Sequence, residues 1–221
     1  MIRASGWLTA VLVIVTGAVV VTAPVDSMQG VIQKILYVHV PCAFSAYAAF
    51  FLTAIGGAIY LWRNDERYDR LALAGAEVGV IFCTLTVATG PIWARGTWGH
   101  WWAWDPRLTV TLLLWFIYLS YLLLRSFTEG SERTARFAAV YGLIGVLAIP
   151  LNYYAIDMFG GAAMHPENLE RSSLGVGMRL PFALGVLTGL AALAHLVALR
   201  FDLETRRVRD ALSAHQTAAM G

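Results

Sequence analysis

The segment that decides the fold runs from Trp98 to Leu124 and reads WGHWWAWDPRLTVTLLLWFIYLSYLLL. Its second part, Leu108–Leu124, is predominantly apolar and carries no charged residue. A stretch of about 20 such residues is long enough to cross a bilayer as an α-helix. Its first part places four tryptophans directly before that stretch. The segment therefore predicts a membrane span that follows an aromatic-rich connection.

Apolar stretches of similar length occur elsewhere in the chain, at approximately Gly6–Ala23, His39–Trp62, Leu73–Trp93, Phe137–Ile156 and Leu180–Leu199. The chain has 58% hydrophobic and 14% charged residues, a composition typical of membrane proteins. Because these stretches take up almost all of the 221 residues, we predict one integral-membrane domain over residues 1–221. The predicted fold is all-α and polytopic, with six transmembrane helices.

Small residues and one proline indicate how these helices pack. The pairs Gly75/Gly79 and Gly185/Gly189 each place two glycines on one helix face, which allows close approach of a neighbouring backbone. Pro150 is expected to bend the fifth span, because proline has no N–H for the helical hydrogen bond.

The basic residues predict the orientation in the membrane. With the N-terminus inside, eleven of the sixteen fall on inner segments, namely Arg3, Arg63, Arg67, Arg70, Arg125, Arg133, Arg136, Arg200, Arg206, Arg207 and Arg209. The outer segments hold Lys34, Arg95, Arg107, Arg171 and Arg179. The positive-inside rule therefore predicts that both termini are cytoplasmic and that the tryptophan-rich loop is extracytoplasmic. The net charge of +2 then needs no nucleic-acid partner.

Five of the eight tryptophans lie between Trp93 and Trp104, where the average density predicts about 0.4. Tryptophans of an interfacial aromatic belt are spread over many helix ends, so clustering favours a surface for a large planar ligand. If the segment is helical, Trp98, Trp101, Trp102 and Asp105 share one face and Trp104 lies off it. Asp105 before Pro106 also predicts the N-cap of the fourth span.

Two histidines flank this segment from separate outer connections. His39 opens the second span, and His165 lies in the sequence Met164-His165-Pro166 of the third outer loop, at about Asp157–Arg179. A neutral imidazole is a good axial ligand for haem iron, although either histidine alone is also typical of a polar residue at the interface. Arg95 and Arg107 bracket the tryptophans and could bind haem propionates or anchor the chain at the membrane surface.

The remaining polar residues favour other roles. His100 could supply a third ligand, but a solvent-facing position is favoured; His195 near the inner face is expected to pack, and Glu77 is a shallow intramembrane candidate. Cys42 and Cys83 form no Cys-x-x-Cys pair, which excludes a thiol–disulfide enzyme and a covalent haem carrier. The chain has no nucleotide-binding motif, so any energy from ATP must come from another chain.

These motifs together resemble a known family. The run Trp98-Gly99-x-Trp101-Trp102-x-Trp104-Asp105-x-Arg107-Leu108-Thr109, within residues 93–109, resembles the WWD signature of haem-handling membrane proteins in cytochrome c maturation. Within that group the six-span chain resembles the CcmC family, which also has the patterns Tyr37-x-His39-Val40-Pro41 and His165-Pro166. The related CcmF and CcsA proteins are longer. His100 and Pro106 depart from the usual family pattern, which has threonine and a small residue there.

The resemblance implies a protein of the bacterial inner membrane that holds haem b non-covalently and transiently at the periplasmic face. His39 and His165 would be the axial ligands, and the ring would contact the WWD segment, including Trp98, Gly99, Trp101, Trp102, Trp104 and Asp105. The haem would pass to the chaperone CcmE, with the ABC transporter subunits CcmA and CcmB and the small membrane subunit CcmD as further partners. The protein would assist haem attachment to CcmE rather than act as an enzyme.

Three other function classes compete with haem delivery. A transport subunit could move haem or another apolar substrate through the bundle without binding haem stably. A quinol-reactive redox enzyme usually needs paired histidines within its spans, which His195 alone cannot supply. A purely structural subunit leaves the tryptophan cluster unexplained. For delivery we expect a shallow site at the membrane rim, because a carrier must also release its haem.

Overall fold

The computed structural model describes residues 2–127, 131–159, 165 and 174–220. Within these ranges the helices are α1 (Ile2–Thr22), α2 (Leu36–Arg63), α3 (Glu66–Trp98), α4 (Pro106–Phe127), α5 (Glu132–Gly145), α6 (Ala148–Tyr153), α7 (Ala155–Phe159) and α8 (Val176–Met220). A 3₁₀ helix, Val31–Ile35, leads directly into α2. Asp26 and Gly30 form an isolated β-bridge, and the described residues contain no β-strand.

Six helical segments of the described chain are long and apolar enough to cross a membrane, which confirms the predicted number of spans. The fifth segment, Glu132–Tyr153, is interrupted between α5 and α6. The interruption lies one turn before Pro150, at the point where proline cannot donate a hydrogen bond to the carbonyl of Val146. There the Ile149 N–H contacts the Val146 carbonyl at 3.0 Å, so the turn tightens.

Several helices extend beyond the apolar stretches that predicted them. The largest difference is in α8, which continues from the apolar stretch ending at Leu199 to Met220. Its polar part is stabilised by side-chain pairs one turn apart, including Arg200 with Glu204 at 2.8 Å and Arg206 with Asp202 at 2.8 Å. Hydropathy identifies only the part of a helix that is apolar enough to lie in lipid. It therefore does not predict how far a helix continues as a polar segment.

The second helix is at the centre of the bundle, packed against α3, α5 and α8, whereas α1 packs mainly on α8. The predicted glycine pairs form two of these contacts. A Cβ atom on Gly185 would lie 2.5 Å from the carbonyl oxygen of Tyr37, and one on Gly75 would lie 3.0 Å from that of Ala49. The glycines therefore let α8 and α3 lie directly against the backbone of α2.

The end of the bundle away from the tryptophans is fixed by ion pairs. Arg125 of α4 binds Asp69 of α3, with contacts of 2.5 and 2.7 Å. Arg200 of α8 binds Glu77 of α3, so the intramembrane candidate Glu77 has a structural partner. Cys42 and Cys83 are both buried and both free.

Candidate functional site

A cavity of about 350 Å³ opens among α2, α3, α4 and α6, within the size range of small-molecule sites. His39 and His165 both line it, although they are far apart in the sequence. Along α3 its lining reaches from Trp98 to Cys83, a distance of about 22 Å at the helical rise per residue. The cavity is therefore deeper than the shallow rim site expected from the sequence. Its other aromatic and polar lining residues include Gln29, Gln33, Tyr47, Trp93, Trp102, Arg107, Thr111, Asn152 and Tyr153.

His39 forms part of the wall made by α2 and α3. It lies in the first turn of α2 and is 8% exposed. Its Nδ1 atom is 2.9 Å from the hydroxyl oxygen of Thr89, and its ring meets Trp93 edge-on at a centroid distance of 5.8 Å. Trp93 is itself anchored, because its indole N–H donates to the Gln29 side-chain oxygen at 2.9 Å. The position of this imidazole is thus set by neighbours on α3.

His165 is held by the beginning of α4. Its backbone N–H donates to Oδ2 of Asp105 at 3.2 Å, and its Nδ1 atom lies 3.5 Å from Nη1 of Arg107. The other carboxylate oxygen of Asp105 accepts from the backbone N–H groups of Arg107 at 2.8 Å and Leu108 at 3.3 Å. The predicted N-cap is confirmed, and the same carboxylate also bonds the backbone of His165 to the beginning of α4.

A buried polar network supports this second wall. The amide nitrogen of Asn152, a residue 1% exposed, donates to the Arg107 carbonyl at 3.1 Å and to the Thr111 hydroxyl at 2.8 Å. Its oxygen accepts from the Tyr47 hydroxyl. The Arg107 guanidinium also donates to the Tyr153 carbonyl at 2.8 Å. These contacts fasten α4 to α6 and α2 and keep Arg107 at the cavity wall.

The tryptophan segment is not helical beyond Trp98. Gly99 ends α3 with φ of +81°, a left-handed conformation that favours glycine, and the Arg95 guanidinium binds the Gly99 carbonyl. Because the segment is not a helix, its residues do not share the helical face predicted for Trp98, Trp101, Trp102 and Asp105. Trp98 and Trp102 line the cavity, whereas Trp101 and Trp104 are 60% and 76% exposed.

The predicted site residues consequently divide into two groups. The cavity lining includes His39, His165, Trp98, Trp102 and Arg107. Among the described residues, it does not include Arg95, Gly99, Trp101, Trp104, Asp105 or His100. His195 lies elsewhere, 3.0 Å from the Ser5 hydroxyl at the contact between α1 and α8, as its predicted packing role requires. Met164, Pro166 and Arg171 lie outside the described residues.

Several lining residues were not predicted from the sequence. Gln33 is 3% exposed, and neither polar atom of its side chain has a hydrogen-bond partner in the described chain. The indole nitrogen of Trp102 is likewise buried without a partner there. Buried polar groups are nearly always hydrogen-bonded, so both side chains are candidates to bond water or a polar group of a ligand. Trp93 belongs to the tryptophan cluster but was not predicted to be a ligand contact, whereas Gln33 gives no sequence signal.

Comparisons with known proteins identify the family of this chain. The family model described as Heme exporter protein C matches residues 1–214. Heme exporter protein C of Bradyrhizobium diazoefficiens is 33% identical over 195 residues, which cover 85% of this chain and 73% of the relative. The protein of the same name in Haemophilus influenzae is 31% identical over 186 residues, covering 82% and 75%. The Escherichia coli K12 protein is 29% identical over 178 residues, covering 80% and 72%. This chain is a multi-pass membrane protein that belongs to the CcmC family, the Heme exporter protein C family.

Proposed function

We propose that this protein binds haem b non-covalently in the cavity between His39 and His165 and releases it for cytochrome c maturation. The observation that supports this most directly is that two imidazoles from distant parts of the chain line one cavity. Haem iron accepts one axial ligand on each face, and histidine is a common ligand. In this proposal haem is the transferred substrate, so the protein must bind it reversibly.

The residues of the cavity fit a flat, largely apolar ligand with a polar edge. The indoles of Trp93, Trp98 and Trp102 supply aromatic surface. Each indole that covers ~100 Å² of the ring contributes about 2.5 kcal/mol before ordering costs. The Arg107 guanidinium supplies donors for propionate groups. The polar atoms of Gln33 and Trp102 are sealed in the described chain, so they would donate to a propionate only after their side chains turn toward the cavity. Arg95, Gly99, Trp101, Trp104 and Asp105 remain proposed contacts on the family pattern alone.

We place the cavity mouth at the periplasmic side of the bacterial inner membrane, with both termini in the cytoplasm. The support is the distribution of basic residues, eleven on inner and five on outer segments. Two single substitutions test it, Val25→Cys in the first outer connection and Ser213→Cys near the end of α8, since both native thiols are buried. A membrane-impermeant maleimide should label Val25→Cys in spheroplasts and Ser213→Cys only after lysis; the reverse pattern would overturn the orientation.

The proposed acceptor of the haem is the chaperone CcmE, with CcmA, CcmB and CcmD as partners in the same export system and membrane lipid around the spans. This proposal rests on the family assignment. Mixing haem-loaded protein with apo-CcmE should move haem absorbance to the chaperone. We propose assistance to covalent attachment, with no reacting side chain contributed by this chain.

The optical spectrum of the purified protein tests the proposed function. After haem addition in detergent, we expect a low-spin, six-coordinate spectrum in the oxidised and reduced states, as two histidine ligands require. A chain that takes up no haem, or a high-spin spectrum in the wild-type protein, would count against it.

The alternative function is a transport subunit that moves an apolar substrate without binding haem stably. The depth of the cavity favours it, because the lining on α3 continues from Trp98 to Cys83, in the middle of the apolar stretch Leu73–Trp93. Transport without retention predicts haem flux in proteoliposomes and no haem left after gel filtration. Retention of one haem per chain favours delivery.

A further inference from the structure

We propose that Thr89 is a positioning residue for the His39 ligand, because it fixes the tautomer in which Nε2 carries the lone pair that iron needs. This inference rests on the proposed function and deepens it. It assigns a role to a side chain on α3 that belongs to none of the three motifs by which the sequence resembles its family.

The direction of the hydrogen bond follows from counting hydrogens. The Thr89 hydroxyl has a single hydrogen, and its oxygen lies 2.7 Å from the Leu85 carbonyl one turn earlier. A carbonyl oxygen can only accept, and this contact is shorter than the one to His39, so the geometry assigns the hydroxyl hydrogen to Leu85. The oxygen of Thr89 is then an acceptor toward Nδ1 of His39, 2.9 Å away. With this assignment, the proton of a neutral His39 lies on Nδ1.

The second ring nitrogen is consequently a lone-pair donor. Within the described chain, Nε2 of His39 has no hydrogen-bond partner, and it is not among the atoms sealed from solvent. His39 lines the cavity, and a Cβ atom on Gly90 would lie 3.4 Å from the ring carbon between the two nitrogens. The absence of a side chain at Gly90 leaves room beside that carbon. The imidazole is thus presented to the cavity in the form that binds iron.

Such an outer-shell acceptor affects a ligand in two ways. It restricts rotation of the ring, and it makes the bound imidazole a stronger electron donor. Loss of an outer-shell partner typically lowers metal affinity 10–100-fold. Removing the Thr89 hydroxyl should also shift the haem reduction potential to more positive values, because a weaker donor stabilises ferric iron less.

A matched pair of substitutions isolates this role. Thr89→Val keeps the shape of the side chain and removes the hydroxyl, and Thr89→Ser restores it. Thr84→Val is the control: Thr84 also donates to a carbonyl one turn earlier, at 2.7 Å, and accepts from the Trp115 indole at 2.8 Å, but its partner is not a histidine. Circular dichroism in detergent checks that each variant is folded.

The first measurement needs no haem. In ¹⁵N spectra of histidine-labelled apo-protein, His39 should show a protonated Nδ1 and an unprotonated Nε2 in the wild type, the Ser variant and the Thr84 control. Thr89→Val should show a mixture of tautomers. The second is haem titration and potentiometry, where Thr89→Val should bind 10–100-fold more weakly with a more positive potential.

The outcomes separate this inference from the proposed function. Wild-type protein that binds haem through two histidines, together with a Thr89→Val protein of equal affinity and potential, would overturn the inference alone. A wild-type His39 protonated at Nε2 would overturn it without any haem measurement. A wild-type protein that binds no haem would overturn the proposed function.

Discussion

The backbone N–H of His165 donates to Oδ2 of Asp105 at 3.2 Å, while Oδ1 of the same carboxylate caps α4. Asp105 is 5% exposed and does not line the cavity in the described chain. The aspartate of the tryptophan signature therefore holds the backbone of His165 in addition to capping a helix. Through this carboxylate, the backbone of His165 is fixed relative to the first turn of α4.

Replacing Asp105 with Asn should separate the two tasks of the carboxylate. The single amide oxygen of Asn can cap α4 but cannot also accept the His165 N–H, and Asn caps helices about as well as Asp. We expect Asp105→Asn to keep the free energy of unfolding within about 0.5 kcal/mol of the wild type. Ligation by His165 should weaken, seen as a high-spin component in the haem spectrum.

Ser131→Ala is the matched control for a lost cap. Ser131 caps α5, where its hydroxyl accepts from the Thr134 N–H at 3.2 Å, and it has no contact with the cavity. Its replacement should lower the free energy of unfolding by about 1 kcal/mol and leave the haem spectrum unchanged. An Asp105→Asn protein with a fully low-spin spectrum would show that the tether to His165 is dispensable.

The two proposed ligands should respond to substitution in the same way. We expect His39→Ala and His165→Ala proteins to lose haem or to bind it with a high-spin spectrum, because each removes one axial ligand. Added imidazole should restore six-coordination in both, since it can occupy the space of the missing ring. His195→Ala should retain the wild-type spectrum. Normal low-spin spectra in both cavity variants would contradict the ligand assignment.

The membrane spans could be predicted because hydropathy reports directly on what fits lipid. The ends of the helices could not, because they depend on local contacts. The polar part of α8 extends through pairs such as Arg206 with Asp202, and α3 continues to Trp98 because its end is set by Gly99. The break near Pro150 was predictable from the missing N–H of proline.

The site was predictable only in part, for a related reason. Clustering located the tryptophans, but which indoles enter the cavity depends on where α3 ends. A helix that continued past Gly99 would group Trp101 with Trp98, whereas the left-handed Gly99 leaves Trp101 exposed. Thr89 and Asn152 gave no sequence signal, because their roles arise from contacts between helices.

The tryptophans of the signature should differ in how much they contribute to haem binding, because in the described chain Trp102 lines the cavity and Trp104 does not. Trp102→Ala should weaken haem binding by about 2.5 kcal/mol, roughly 70-fold in Kd, because about 100 Å² of covered ring surface is lost. Trp104→Ala should have a smaller effect, since Trp104 is 76% exposed. Trp62→Ala, at an indole 80% exposed on another helix, is the neutral control. Equal losses at Trp102 and Trp104 in a haem titration would favour the family pattern over the cavity geometry.

The unpartnered amide of Gln33 predicts opposite effects on stability and on binding. Gln33→Leu removes a buried polar group without a partner, so the apo-protein should become more stable by about 1–3 kcal/mol. If the sealed amide of Gln33 turns toward the cavity when haem enters, the substitution removes a donor to a propionate and haem binding should weaken. Haem dimethyl ester, which has no carboxylate, should bind the wild type and Gln33→Leu equally well. If the substitution weakens both ligands equally, Gln33 acts through packing.

Close packing against α2 predicts that Gly185 tolerates no side chain. In Gly185→Ala the new Cβ would lie 2.5 Å from the Tyr37 carbonyl and 3.1 Å from a ring carbon of Pro41, on both sides of His39 in the sequence. A backbone oxygen cannot move aside cheaply, so α8 must shift away from the first turns of α2. We expect a loss of about 1–3 kcal/mol in the free energy of unfolding, with weaker haem binding because His39 shifts as well.

Gly17→Ala on α1 is the control, since its Cβ would meet no atom of the described chain within 4 Å. It should raise stability by about 0.5–1 kcal/mol through helix propensity alone. Denaturation in mixed micelles measures both, and equal stability of the two variants would contradict the close α2–α8 contact.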